Sequence, residues 1–429
     1  MQEEANTTSS ILQINAKLNA IIVIYSGFMI IFAKIKQKHK ITNYNMKANI
    51  KYIGCDDAQM NLFESQYVTP EGMCYNSYMI LDDKVAVMDS VDPRKTSEWL
   101  QNLSNALEGR TPDYLIVQHM EPDHSGSLAA FCKAYPEATI VASEKALAIM
   151  KQFDEKTDFS HTIAVKEGDT LNLGKRTLQF IGAAMIHWPE VIVTYCPEEK
   201  TLFSADAFGK FGVRDADADD WACEARRYYF NICGKYGIPV SGLLKKTAAL
   251  DIQTICPLHG PILEDEKLAE AIRLYTIWGS YGVETEGVLV AHASIHGNTK
   301  KAAEKLAEML QQKGAKKVVV ADLCRDDMAE VIEDAFRMNK LVVCASSYDG
   351  DVFPPMHMFL WKLKLKAYQN RTVGILENGT WAPTAGKAMH TIIEQMKNVN
   401  IIEPIVTIRS AMKEADIPAM EALANAILN

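Results

Sequence analysis

Tyr114-Leu115-Ile116-Val117-Gln118-His119-Met120-Glu121-Pro122-Asp123-His124 runs from an apolar tetrapeptide into four potential metal ligands within six positions. The first four residues predict a strand. The loop behind them can turn His119, Glu121, Asp123 and His124 toward one point, because the strand fixes its base and Pro122 stiffens it. Three further candidates follow apolar runs: His187 in Met185-Ile186-His187-Trp188, Asp206 in Ser204-Ala205-Asp206, and His259 in Pro257-Leu258-His259-Gly260. Any one of these alone reads as a turn or capping residue. Seven, each behind an apolar run in the same half of the chain, read as a metal site. Four imidazoles and three carboxylates without a thiolate suit iron or manganese at least as well as zinc. If Asp206 bridges, two metals each receive two histidines and one terminal carboxylate, which leaves positions open for an oxygen-containing ligand to bind and be reduced.

Around this stretch, short β-rich runs alternate with helices without a regular rhythm. A hairpin is expected from Tyr78 to Leu81, a turn at Asp82-Asp83 and a return through Val85 to Met88. Further strands are expected at Tyr114 to Val117, Thr139 to Val141, Leu178 to Ile181, Val191 to Tyr195 and Thr201 to Ser204, and helices at Thr96 to Leu107 and Ser125 to Ala134. The pattern predicts an α+β, layered αββα domain. Beyond Tyr281 the rhythm becomes regular. Five β–α units follow, beginning with an apolar strand at Gly287 to His292, and predict an α/β domain with an open, doubly wound parallel sheet that binds its ligands at the carboxyl ends of the strands. Glu264 to Glu286 reads as the connection. The domains expected are 46–285 and 286–429.

Composition agrees with two cores: 429 residues, 48% apolar and 23% charged, with a net charge of -9 that leaves no basic stripe for nucleic acid,. The nine cysteines are scattered and include no C-x-x-C pair. That suits a reducing, cytoplasmic compartment and excludes a rubredoxin module or a bacterial-ferredoxin motif in this sequence, so electrons must come from another molecule. Residues 1–45 form a leader with an apolar run from Leu18 to Ala33 followed by Lys34, Lys36, Lys38 and Lys40. The run is shorter than the roughly 20 residues that span a bilayer, and Glu3 and Glu4 argue against a signal peptide. It reads either as a membrane anchor or as a start-site artefact ahead of Met46.

The second half carries three loops at the expected ligand edge. Ser294-Ile295-His296-Gly297-Asn298-Thr299 opens a helix, where backbone N–H groups and the helix dipole favour a phosphate. Ser346-Ser347-Tyr348-Asp349-Gly350 follows the third strand, and Asn378-Gly379-Thr380-Trp381 the fourth. Both offer aromatic faces to a flat ring, with Trp381 the preferred stacking residue. Together the loops resemble the FMN site of flavodoxin, although Ser346-Ser347-Tyr348 departs from the Ser-Pro-Thr usual there.

The metal stretch resembles the metallo-β-lactamase superfamily, whose hydrolytic members carry H-x-H-x-D-H. Here the second histidine is Glu121, and H-x-E-x-D-H is similar to the flavodiiron branch. That resemblance implies a metallo-β-lactamase-like di-iron domain followed by a flavodoxin-like FMN domain. His119, Glu121 and His187 would bind one iron; Asp123, His124 and His259 the other; Asp206 would bridge. Glu224-Ala225-Arg226-Arg227-Tyr228-Tyr229 resembles the family segment that sets a tyrosine, Tyr228 or Tyr229, beside the metals. The implied activity is reduction of dioxygen to water or of nitric oxide to nitrous oxide. Its electrons would come through FMN from a donor such as rubredoxin or a flavin/NAD(P)H reductase, in a head-to-tail homodimer. Two other readings are a zinc hydrolase fused to a flavodoxin-like domain, which Glu121 opposes, and an electron-transfer partner with a structural metal, for which seven ligands are excessive.

Overall fold

Strand Tyr114–Val117 is apolar throughout because it is buried on both faces,. In the computed structural model, which describes residues 49–216 and 220–429, it lies inside a six-stranded sheet. The order is Ile50–Tyr52, Tyr78–Ile80, Ala86–Met88, Tyr114–Val117, Thr139–Ser143 and Thr162–Val165, antiparallel over the first three strands and parallel beyond. The expected hairpin pairs Tyr78 with Met88 and Ile80 with Ala86. Its connection is longer than a two-residue turn, because the loop's donors are taken from outside: Lys84 N–H by Leu173 O at 2.8 Å and Val85 N–H by Asp113 at 2.7 Å.

A second six-stranded sheet runs Thr170–Asn172, Thr177–Gly182, Ile192–Cys196, Thr201–Phe203, Thr254–Cys256 and Leu263–Glu264. Tyr78 of the first sheet meets Phe203 of the second at 5.6 Å between ring centres, so the sheets pack face to face,. On the outer side of the first, Leu115 and Val117 share a core with Trp99, Leu103 and Leu107 of helix Thr96–Leu107. Helix Asp265–Gly279 covers the second sheet. The stretch read as a connection is therefore mostly a helix of this first half, with Leu274, Tyr275 and Trp278 buried. The helix expected from Ser125 to Ala134 is split into Pro122–Ser125 and Leu128–Ala134. A Cβ at Gly126 would come within 2.4 Å of Pro93 Cγ, and the Ser127 hydroxyl donates to Val91 O at 2.9 Å; the chain breaks its helix to lie against that segment.

The regular half forms a parallel sheet in the order Val318–Asp322, Thr285–Ala293, Met338–Tyr348, Thr372–Asn378, with Asn400–Ile401 and Val406–Ile408 together on the last. This is the flavodoxin order. Val288 and Val290 pack on one face with Leu306, Leu310 and Leu423; Leu289 and Ala291 face the other way, with Phe359 and Leu360.

Two buried arginines link the halves. Arg226, held by Glu284 at 2.7 Å in its own half, reaches Glu333 of the other at 3.1 Å, and Arg227, only 2% exposed and paired with Glu224, reaches Asp327 and Glu330. Arg371 is buried and donates to the carbonyls of Met338, Tyr281 and Gly282. The leader, with its anchor or start-site readings, lies outside the described residues. Among the described residues no helix is long and apolar enough to cross a membrane.

Candidate metal centre and flavin pocket

The seven candidate ligands converge from four strand ends into two clusters: His119, Glu121, His187 and Asp206, and Asp123, His124 and His259. Asp206 stands between them. Its Oδ2 lies 3.3 Å from both His119 Nε2 and His187 Nε2, while Oδ1 lies 3.1 Å from His124 Nε2 and 3.7 Å from His259 Nε2. Glu121 Oε2 is 2.9 Å from His187 Nε2 and 3.3 Å from His119 Nε2. Although Glu121 occupies the N-cap of Pro122–Ser125, its side chain makes no capping bond, because it is turned toward the imidazoles. Asp123 Oδ2 is 3.3 Å from His124 Nε2 and 3.2 Å from His259 Nε2.

The backbone is bent to achieve this. Ala205, immediately before Asp206, has φ +49°, and Met185, two residues before His187, has φ +67°. Such left-handed non-glycine residues each cost about 1–3 kcal/mol and are held by the structure around them.

Burial pushes the Asp206 carboxyl up, but the charges of His124 and His119 outweigh it and hold the group well below the carboxylate range. Glu121 is treated alike: burial opposes, and hydrogen bonds from His119 and His187 bring it to about 2. Burial disfavours the His119 and His187 imidazoliums, yet the neighbouring carboxylates raise both, His187 to about 9. The donor set is thus one of acids and imidazoles that stabilise charge in each other,. Both oxygens of Asp123, Oδ1 of Asp206 and Nδ1 of His124 are buried without a hydrogen-bond partner. Metal cations between the clusters fit that donor set and its bare oxygens.

Glu190 escapes the sequence reading. Its carboxylate accepts His119 Nδ1–H at 2.8 Å and Met120 N–H at 3.0 Å. The only sequence signal is a carboxylate three residues after His187, too common a feature to single out. Tyr228 lies against His259 with ring centres 5.5 Å apart, whereas Tyr229 packs on Tyr275 and Trp278 at 5.1 and 5.3 Å. Phe63, on the hairpin formed by Leu62–Phe63 and Tyr67–Val68, meets His259 edge-on at 5.6 Å.

In the second half a cavity of about 480 Å³ is lined by Ser294, His296, Asn298, Thr299, Ser346, Ser347, Tyr348, Asp349, Gly350, Asn378, Gly379, Thr380 and Trp381. Gly297 lies just outside the lining; it caps helix Asn298–Gln312 at φ +84°, and its N–H donates to Ser294 Oγ at 3.1 Å. Ile295, Ala382, Thr384 and Ser410 complete the wall. The Ser410 carbonyl accepts from Asn378 Nδ2 at 2.8 Å, a contact across 32 residues that no local motif announces. Trp381 is 88% exposed and Tyr348 is 45% exposed at the rim.

Residues 73–260 match the ODP family beta lactamase, and residues 290–416 match flavodoxin. The first span holds all seven candidate ligands, the second all three flavin loops. A nitric oxide reductase of Moorella thermoacetica is 29% identical over 381 residues, 86% of this chain and 94% of the relative. An anaerobic nitric oxide reductase flavorubredoxin of Pectobacterium carotovorum is 26% identical over 79% of this chain and 69% of its own length. The rubredoxin oxygen:oxidoreductase of Desulfovibrio gigas superposes with a TM-score of 0.83 at 24% identity, covering 88% of this chain and 96% of that one. The flavodiiron protein of Giardia intestinalis gives 0.81 at 23%, covering 90% and 96%. At such identities the two structures speak for the fold. The chain thus carries a β-lactamase-type domain followed by a flavodoxin domain, the architecture of a flavin-dependent di-iron oxidoreductase.

Proposed function

We propose that the protein reduces dioxygen to water, or nitric oxide to nitrous oxide, with electrons from an external donor such as rubredoxin or a flavin/NAD(P)H reductase. FMN and a pair of iron ions, when bound, supply the electron storage and gas-reducing chemistry that side chains lack. The observation that carries the reading is the split of Asp206, one oxygen toward His119 and His187 and the other toward His124. On this reading His119, Glu121 and His187 hold one ion, Asp123, His124 and His259 hold the other, and Asp206 bridges. Glu121 adds the negative oxygen donor that favours iron over zinc. Tyr228 closes the His259 side against water, and Phe63 narrows the same face.

In the second half the N-terminus of helix Asn298–Gln312 holds the flavin phosphate with Ser294, Asn298 and Thr299. Asp349, Gly350, Asn378 and Gly379 meet the ring edge, and Tyr348 and Trp381 flank its faces. The halves are taken as 46–285 and 286–429. Nine free cysteines fit a reducing, cytoplasmic setting,.

The working form is a head-to-tail homodimer, in which the flavin pocket of one subunit faces the metal centre of its partner. Exposed Trp381 at the pocket rim supports this, as does the apolar stripe of Met358, Trp361 and Leu365 on helix Pro354–Leu365, each at least 45% exposed. Sedimentation of Trp361→Glu checks the dimer; an unchanged mass would remove that helix from the interface. The function itself is tested by anaerobic reduction followed by stopped-flow oxidation with each gas, alongside elemental and flavin analysis. A yellow, iron-containing protein oxidised by either gas agrees with the reading. A colourless, zinc-only protein that resists reconstitution with flavin and ferrous iron overturns it in favour of a hydrolase.

A further inference from the structure

An imidazole that turns Nε2 into the centre keeps its proton on Nδ1, and what receives that proton differs between the clusters. His119 Nδ1–H donates to the Glu190 carboxylate at 2.8 Å. His259 Nδ1–H donates to the Cys74 carbonyl at 2.7 Å. His124 Nδ1 is buried with no partner. One half of the centre therefore has a formal negative charge behind its histidine, and the other has a neutral carbonyl and a bare nitrogen.

Glu190 is placed as firmly as a ligand. It is 2% exposed; Met120 N–H donates to the same oxygen at 3.0 Å, and the Ser143 hydroxyl donates to the Glu190 carbonyl at 2.8 Å. Its other oxygen, Oε2, is buried and accepts no hydrogen bond. A buried carboxylate with a bare oxygen is costly unless positive charge stands near. Among the groups it touches, His119 is the one that can present such charge, either as imidazolium or by passing on the pull of a cation at Nε2.

We propose that Glu190 is a positioning residue that makes the two metal positions unequal, strengthening the one built from His119, Glu121 and His187 and leaving the one built from Asp123, His124 and His259 unassisted. The proposal rests on the di-metal reading above. A carboxylate behind a ligating imidazole fixes its tautomer and orientation and raises its basicity, and removing such a partner costs about 10–100-fold in metal affinity. The assisted position also keeps two carboxylates to itself, Glu121 in the centre and Glu190 behind it, where the other keeps Asp123 alone. It is the tighter position, and a chelator empties the other first.

The test uses the full-length protein loaded anaerobically with ferrous iron and titrated with a competing chelator, with iron and FMN per chain measured at each step. The wild type should release iron in two phases. Glu190→Gln, nearly the same shape without the charge, should weaken the tighter phase by about 10–100-fold and leave the weaker phase and the FMN content unchanged. Glu190→Asp, which keeps the charge on a shorter stem, should recover part of the difference. Equal weakening of both phases would mark Glu190 as structural only, and an unaltered tight phase or a single wild-type phase would likewise overturn the proposal while sparing the di-metal reading. A wild type that takes up no iron would sink both.

Discussion

His124 and His259 face each other Nε2 to Nε2 at 3.1 Å, both buried. Two nitrogens so placed repel unless a proton or a cation lies between them, so the unloaded centre is a point of weakness. Chelation should lower the melting temperature and ferrous iron should restore it. At a metal concentration 100-fold above its dissociation constant the stabilisation is about 2.7 kcal/mol. Calorimetry with and without chelator checks this, and identical curves would mean that the pair holds no metal.

Glu121→His recreates the hydrolase pattern at the metal stretch. It removes a unit of negative charge 2.9 Å from His187 and replaces an oxygen donor with a neutral nitrogen well suited to zinc. The variant should gain zinc at the expense of iron on elemental analysis and lose gas reduction. Since the Glu121 side chain makes no capping bond, a loss of helix capping offers no competing explanation. Iron content and oxygen consumption equal to the wild type would remove Glu121 from the centre.

Trp381→Ala should loosen the flavin without unfolding the domain, because the side chain is 88% exposed and carries none of the core. A stacked aromatic pair is worth about 0.5–1.5 kcal/mol, so the FMN dissociation constant should rise by roughly two- to twelve-fold at 1.4 kcal/mol per decade. Flavin fluorescence titration measures it, and equal affinity would show that the indole stands off the ring.

The junction between the halves should respond to pH. Burial pushes the Glu333 carboxyl up to about 8 against the pull of Arg226. A carboxyl raised in the folded state favours folding fully below its unfolded pKa of about 4.3, and that contribution declines as pH rises toward 8. Glu333→Gln stays neutral throughout, so its melting temperature relative to the wild type should climb between pH 6 and pH 9. A constant difference across that range would show that Glu333 is already ionised at pH 6.

The two clusters of candidate ligands are legible because strand ends are where side chains can converge, and an apolar run precedes each of them. Tyr114 to Val117 is predicted and observed with the same ends. What sequence reading misses acts at a distance. Glu190 meets His119 across 71 residues, and Ser410 reaches the flavin loop across 32; neither pairing leaves a periodic trace. The break at Gly126 is also invisible locally, since only the approach of Pro93 forbids a side chain there. Helix Asp265–Gly279 was read as connection because its position between two differently patterned halves outweighed its own apolar spacing.

Arg226 and Arg227 sit side by side on helix Trp221–Tyr228, in the metal half, yet Glu333, Asp327 and Glu330 belong to the flavodoxin half. Cutting the gene between the folds would part Arg226 from Glu333 and Arg227 from Asp327 and Glu330, leaving each guanidinium only the acid of its own half, Glu284 and Glu224. The chain looks like a fusion of portable parts, but recombination has lost its freedom there. A flavodoxin domain transplanted from another protein must arrive with acids at these three positions, and the two folds should melt in a single transition.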